Sequence, residues 1–376
     1  MPLAPGAPPQ YGLPVQPGSP PPEYPEGFGG QPPKRRRTGL IIAIIVGLVV
    51  VLGAGGVGLA VYLQRQAEAR EQAEAEAADA AARAGAVASV EAMLQALADA
   101  DAETALSYLE DEPTGDQTLL SDEVLAGAAE PISAISVTEP SGVSAVTRYG
   151  EIAVSYSVGE VQATQTYYVT DTDEDDSFLI SGVLTEVQHS PSLAGVELTL
   201  NGVPVSQDDA SFALFPGSYT VGTSSAYFGL TGTTSFAITE FEADPLLDLM
   251  PVLTDEGVAK FREAVSAQVH ACVASNELAP GCGLDLAPVL GDGTEVFEGT
   301  VARTLSTDAQ AALDAMVPTL SSSNPTLARG ESVGTVSAKA ECRKGSQTGI
   351  CDILPAFSTA TPAIDMSDPD LTVLWE

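Results

Sequence analysis

An uncharged apolar run near the start of the chain constrains its fold more than any other feature. From Leu40 to Tyr62, twenty-three consecutive residues carry no charged side chain. As a helix this run would be about 35 Å long, enough to cross a hydrocarbon core of about 30 Å. A cleaved signal peptide is the alternative, but a long proline-rich segment precedes the run and the run exceeds the usual apolar region of a signal. The sequence therefore predicts a single transmembrane helix over residues 39–63.

Basic residues at one end of this predicted helix indicate its orientation. Four of them immediately precede it, namely Lys34, Arg35, Arg36 and Arg37. On the far side, Arg65 and Arg70 alternate with glutamates. Since positive charge stays on the cytoplasmic side, the N-terminus is predicted to be cytoplasmic. The prediction is a single-pass cell-membrane protein that contacts membrane lipid through this helix and has extracytoplasmic C-terminal domains.

The same run contains Gly53, Gly55, Gly56 and Gly58. These four glycines allow two interpretations. Three of them match the G-x-G-x-x-G pattern of dinucleotide-binding proteins. That pattern requires a preceding strand and a soluble βαβ unit, so no dinucleotide cofactor is predicted. Small residues also allow close helix packing, which favours self-association. The alternative is a helix that is simply rich in glycine.

The charge balance excludes one class of partner. Essentially all of the net charge of −36 lies beyond residue 63. A nucleic-acid-binding protein needs a basic face, so nucleic acid is excluded as a partner. Solubility is the simple explanation of the acidity, and attraction of divalent cations or of a basic polymer is the alternative.

The last third of the chain contains four cysteines, Cys272, Cys282, Cys342 and Cys351. Their arrangement predicts disulfides. They form two close pairs whose intervening loops are wider than those of structural zinc sites, so no metal site is predicted. Disulfides persist in oxidising compartments, which agrees with an extracytoplasmic location. Three pairings are possible, and we expect Cys272 with Cys282 and Cys342 with Cys351.

The flanks of the apolar run differ in composition. Residues 1–38 contain twelve prolines and the basic cluster, which predicts a disordered cytoplasmic tail. Two P-P-x-Y strings in this tail, at 8–11 and 21–24, are of the kind that WW domains bind, so a docking role is the alternative. Residues 64–84 are rich in Ala, Glu and Arg, which predicts a helical stalk.

Residues 85–189 change from helical to strand periodicity. An apolar stripe at helical spacing ends at Leu97, and Asp101 is a candidate N-cap for a second short helix. Strands are predicted at 132–138, 146–158, 162–170 and 178–184. The order SVEAMLQALADADAETALSYL followed by consecutive strands resembles the NTF2-like cone fold of actinobacterial-type membrane-anchored envelope proteins. Some NTF2-like enzymes use an Asp and a His in their pocket, but His189 falls in the exit loop, so no catalytic residue carries over.

Residues 190–243 are predicted to form a small all-β module. Val196, Leu198 and Leu200 alternate before Asn201-Gly202, a pair typical of a type I′ turn. Pro204 predicts that the returning strand lies at a sheet edge. The strings VELTLNG and SFALFPGSYTV resemble PEGA-type surface modules, a family that implies a small extracytoplasmic β-domain without catalytic residues.

Residues 244–376 are predicted to be an α+β domain with both disulfides. A helix begins after Thr254, with its apolar face ending at Cys272, and a second helix is predicted at 306–317. Strands are predicted at 294–305, 332–342, 351–358 and 371–375. The cysteine-bearing C-terminal part resembles that of uncharacterised actinobacterial membrane proteins, and this resemblance implies no activity.

The sequence motifs that resemble catalytic or metal-binding sites lack the neighbouring residues or elements that those sites require. Gly330 to Gly334 matches G-x-S-x-G, but the sequence after Ser332 is strand-like, and His189 and His270 both precede it. The acidic run Asp171 to Asp176 begins like a calcium loop, but Asp176 stands where such a loop needs Gly. A solvated turn is favoured there, and calcium binding stays open. No catalytic, metal or cofactor residue is therefore assigned.

The sequence as a whole predicts an α+β protein with a transmembrane helix, a stalk, an NTF2-like cone, a β module and a disulfide-containing domain. The leading hypothesis is a non-catalytic, membrane-anchored binding or sensing protein of the cell envelope, with an envelope protein or polymer as its partner. One alternative is an envelope enzyme that uses carboxylates in an NTF2-like pocket. The other is a transmembrane regulator that signals through its proline-rich tail.

Overall fold

The protein is α+β, with many strands and few helices. The computed structural model describes residues 39–110, 112–171, 177–239 and 244–376, and of residues 39–58 and 354–356 it describes the backbone only. The chain divides into two compact units, Met1–Arg70 and Glu71–Glu376. The basic cluster at 34–37 and most of the acidic run, 172–176, lie outside the described residues.

Side-chain caps define where the helices begin. The helices are α1 (Gly39–Ala98), α2 (Ala102–Ser107), α3 (Asp122–Ala126), α4 (Asp255–Ala274) and α5 (Thr307–Ala315). Asp101, Ser121, Thr254 and Ser306 each accept a hydrogen bond from the backbone N–H three residues later. Such caps satisfy one of the N–H groups that a helix start leaves free. The Asp101 cap and the helix after Thr254 confirm the prediction.

The prediction of a transmembrane helix over residues 39–63 is wrong. In the described part of the chain, none of the helices is both long and apolar enough to cross a membrane. The described side chains of α1 begin at Leu59, and the short uncharged stretch from there to Arg65 is far shorter than the roughly 20 residues that a membrane-spanning helix needs. The predicted location, a single-pass cell-membrane protein with a cytoplasmic N-terminus and extracytoplasmic domains, is corrected with it. The side-chain surroundings of Gly53, Gly55, Gly56 and Gly58 lie outside the description, so self-association stays a prediction.

A four-stranded antiparallel sheet packs against the C-terminal part of α1. Its strands, in spatial order, are β1 (Ile132–Val137), β2 (Tyr149–Val158), β3 (Val161–Thr170) and β4 (Leu179–Ser181). The inward faces of β2 and β3 alternate with exposed residues, as a sheet with one buried face requires. Val90 and Leu94 of α1 are fully buried in the same core as Ile152 and Val169. The helical stripe and the strand alternation predicted for this region are present.

The next strands form three small antiparallel sheets. They are β5 (Thr185–Gln188), β6 (Leu198–Leu200), β7 (Val203–Pro204), β8 (Ser211–Leu214), β9 (Gly217–Thr223), β10 (Phe228–Thr231), β11 (Ser235–Ile238) and β12 (Met250–Leu253). One sheet has the order β11-β9-β6-β7, and the others pair β5 with β8 and β10 with β12. Asn201 and Gly202 have φ values of 49° and 88°, which fits the predicted type I′ turn. Pro204 lies in the edge strand, as predicted.

Strand β8 connects the first sheet region to the β module. It pairs with β5 rather than with its sequence neighbours β7 and β9. Ala213 and Phe215 belong to the core between α1 and the first sheet, whereas Phe212 and Leu214 belong to a second core. Because successive side chains of a strand point to opposite faces, the two faces of this segment are buried in two different cores.

The remaining strands form two antiparallel sheets. They are β13 (Glu295–Val296), β14 (Ala302–Leu305), β15 (Thr319–Leu320), β16 (Leu327–Arg329), β17 (Thr335–Lys344), β18 (Gln347–Ser358), β19 (Pro362–Asp365) and β20 (Val373–Trp375). In one sheet, β13 and β14 pair with one edge of β17 and β18 pairs with the other, and the second sheet has the order β15-β16-β19-β20. The single strand predicted at 294–305 is thus two short strands.

The second core joins the β module to the C-terminal helices. Leu198 and Val221 of the module are buried with Phe261 and Val265 of α4 and with Leu313 of α5. These two predicted domains therefore share one apolar core. The boundary predicted near residue 243 stays a prediction, because residues 240–243 lie outside the described ranges.

Two disulfides hold the C-terminal region, and they join Cys272 to Cys282 and Cys342 to Cys351. The first links the end of α4 to the loop that follows it, across a Cα–Cα distance of 6.4 Å. The second links β17 to β18 near their connecting turn, across 5.9 Å. Both pairings are those expected from the spacing.

Candidate functional site

An open apolar groove of about 450 Å³ lies between β12 and residues 317–322. Ser192, Val258 and Pro325 complete its lining. In the described part of the chain, β12 pairs only with β10, and β15, within 317–322, pairs only with β16. Each therefore presents one unpaired edge, and we call this site the strand-edge groove.

The first wall of the groove is fixed by its neighbours on both sides. Antiparallel pairing with β10 sets Met250 opposite Thr231 and Val252 opposite Gly229. Directly after β12, the Thr254 hydroxyl accepts a hydrogen bond from the Gly257 N–H at 3.0 Å, and this cap begins α4. The strand is therefore held between a paired edge and a capped helix.

The second wall follows the end of α5. The carbonyl of Met316 accepts two hydrogen bonds from the Arg262 guanidinium, at 2.9 and 3.1 Å. Pro318 follows, and a proline at this point ends the helix because it cannot continue the hydrogen-bond pattern. The chain then extends into β15. Arg262 thus anchors the second wall to α4, the helix that extends from the first.

Exposed apolar side chains converge on this groove. Val317 is 66% exposed, Met250 51% and Val252 39%. Single exposed apolar residues are normal, but several that line one concave surface mark an interaction site. None of the lining residues carries a charge. A second cleft, of about 380 Å³, is lined by Glu112 and residues 180–184, and it contains no such exposed large apolar side chain.

Carboxylates lie in sequence close to both walls of the groove. Exposed Asp248 is two residues before Met250, and exposed Asp314 is three residues before Val317. Asp255 and Glu256, also exposed, occupy the first turn of α4. The ammonium of nearby Lys260 lies 2.9 Å from Glu263, and hydrogen bonding to that carboxylate raises the pKa of Lys260. Exposed carboxylates therefore lie within a few residues of both walls in sequence, while the lining itself is uncharged.

The residues that could have suggested catalysis do not come together. The Ser332 hydroxyl donates to the Thr359 carbonyl at 2.8 Å, and the residue lies in a loop before β17 rather than at a strand–helix turn. His270 lies exposed on α4. Within the described residues, no group of three or more His, Cys, Asp or Glu side chains is arranged to hold a metal ion. The motif at Ser332 therefore lacks the strand–helix turn that a nucleophile elbow requires.

His189 and Asp171 each make contacts within the fold. The imidazole of His189 packs on Phe212 with ring centroids 5.2 Å apart, and burial lowers the pKa of His189 against the opposing effect of Asp116 and Asp209. Asp171 is buried and forms an ion pair with Arg148. The remaining residues of the acidic run lie outside the described ranges, so calcium binding there stays untested.

The strand-edge groove itself was not anticipated from the sequence. Strands β12 and β15 are too short to produce an alternation signal, and the sequence predicts that Val317 ends a helix. One signal is present, since Pro251 lies within β12 and Pro318 directly precedes β15. Proline within a strand indicates an edge strand, because it removes a donor from the ladder.

Comparison with known proteins gives no match. The chain matches no family model, no curated protein and no solved structure. The resemblances to NTF2-like and PEGA-type proteins therefore stay predictions.

Proposed function

We propose that the protein is a non-catalytic binding protein that holds an extended segment of another polypeptide in the strand-edge groove. The observation that carries the proposal is the convergence of Met250, Val252 and Val317, all exposed, on an uncharged groove. Burying exposed apolar surface is the main favourable term in association.

Two unpaired strand edges favour a polypeptide over a small molecule as the occupant. An extended chain can add main-chain hydrogen bonds to such an edge, while its alternate side chains enter apolar pockets. A groove of about 450 Å³ has room for a few side chains of this kind.

Selection from a random linear peptide library, with the whole protein as bait, tests this proposal. Binding of the selected peptides is then measured for the wild type, for Val317→Asp and for Val252→Asp. A carboxylate placed in the groove would be desolvated by the peptide, so we expect at least a tenfold loss of affinity, which is about 1.4 kcal/mol.

Ile350→Asp is the matched control, because Ile350 is 70% exposed and lies on the β17–β18 hairpin. This variant should bind the peptides as the wild type does. The proposal fails if no peptide is selected, or if Ile350→Asp weakens binding as much as Val317→Asp.

A further inference from the structure

We infer that the segment bound in the strand-edge groove is cationic, with an apolar middle flanked by Lys or Arg. This inference rests on the proposed function and specifies its partner. The argument comes from how the protein uses its own basic residues.

The second unit of the chain is strongly acidic. Residues 71–376 contain nine of the fifteen basic residues and 48 of the 51 acidic ones, a formal balance of −39. A surface of this charge repels anionic partners and raises the encounter rate with cationic ones.

All nine basic side chains of this unit are already engaged. Seven form ion pairs, which are Arg83–Glu139, Arg148–Asp171, Lys260–Glu263, Arg329–Glu376, Lys339–Asp352, Arg343–Glu295 and Lys344–Asp292. The other two, Arg262 and Arg303, donate to backbone carbonyls. Countercharge for the remaining carboxylates must therefore come from outside this unit.

The groove localises this general attraction. Its interior is uncharged, whereas Asp248 and Asp314 precede its two walls and are exposed. Lys260 and Arg262, the basic residues closest in sequence, are bound to Glu263 and to the Met316 carbonyl. The inference is therefore that the middle of a bound segment meets the apolar lining, and that its flanking residues meet these carboxylates.

Three synthetic peptides with one apolar middle sequence, taken from a peptide selected by the wild type, test the inference. Their flanking residues are Lys, Gln or Glu. We expect the Lys peptide to bind about tenfold more tightly than the Gln peptide at low salt, with this advantage shrinking at high salt, and the Glu peptide to bind most weakly.

The double variant Asp248→Asn/Asp314→Asn assigns the preference to the groove. It should reduce the advantage of the Lys peptide about threefold or more and leave the Gln peptide unchanged. Glu160→Gln, at the turn between β2 and β3, is the control and should change neither. Circular dichroism melts verify that each variant is folded.

The two proposals can fail separately. If the three peptides bind equally well and still lose binding to Val317→Asp, the cationic preference is wrong and the groove remains a polypeptide site. If the Lys peptide is preferred but Asp248→Asn/Asp314→Asn has no effect, the preference is not located at the groove and the inference is wrong. If no peptide responds to Val317→Asp, the proposed function fails.

Discussion

Arg303 shows how a single buried side chain can organise a loop. It is 8% exposed, and its guanidinium donates to four carbonyls, those of Ser275, Glu277, Leu278 and Leu284, at 2.9 to 3.2 Å. Burial lowers the pKa of Arg303, although guanidinium remains charged in proteins. These bonds satisfy the backbone of the loop that the first disulfide closes.

Replacing Arg303 with Met should strongly destabilise the protein. Four carbonyls would lose their donor in a buried site, which we expect to cost about 2–4 kcal/mol of unfolding free energy. Urea denaturation measures this change. Arg343→Met is the control, because the ion pair of Arg343 with Glu295 is half exposed and should contribute less than about 1 kcal/mol. Equal effects of the two variants would refute the role given to Arg303.

Two buried tyrosines should respond oppositely to loss of their hydroxyl. The Tyr167 hydroxyl is buried near that of Tyr156, and neither has a hydrogen-bond partner of normal geometry among the described residues; burial first, and Tyr156 second, raise the pKa of Tyr167 well above its usual value. The Tyr219 hydroxyl, also buried, donates to the Phe215 carbonyl at 2.8 Å. We expect Tyr167→Phe to be neutral or stabilising and Tyr219→Phe to cost about 1 kcal/mol in chemical denaturation. A larger loss for Tyr167→Phe than for Tyr219→Phe would contradict this assignment.

At the scale of helices and strands, prediction from sequence succeeded where a side chain acts locally. Asp101, Thr254 and the Asn201-Gly202 turn lie where their local hydrogen bonding or backbone preference places them. It failed for β12 and β15, which have four and two residues and depend on neighbours distant in sequence. The candidate site consists of these short strands, so it was missed together with them.

The two disulfides should differ in their resistance to reduction. Cys272 and Cys282 are each 2% exposed, whereas Cys351 is partly exposed on a hairpin strand. Thiol exchange requires access to a sulfur atom, so a mild reductant under native conditions should open Cys342–Cys351 first. Alkylation followed by peptide mass spectrometry measures the order. In denaturant both pairs should be labelled alike, and preferential native labelling of Cys272 would contradict the prediction.

At the scale of the whole molecule, charge opposes compactness. A net charge of −36 produces self-repulsion that the seven ion pairs among the described residues of the second unit offset only in part. We therefore expect added sodium chloride, up to about 0.5 M, to raise the melting temperature by a few degrees at pH 7. The gain should shrink near pH 4.5, where carboxylates begin to protonate. A fall in melting temperature with salt at pH 7 would mean that the ion pairs dominate.

The side chains at and next to β8 enter two different cores, and this limits how the protein can be shortened. A fragment that stops at residue 189 would lack Ala213 and Phe215, leaving holes beside α1, and would expose the edge of β5 to other molecules. Such an edge invites aggregation. A cut after Ile238 would in turn remove Phe261 and Val265 from the second core, so residues 71–376 should be expressed as one piece.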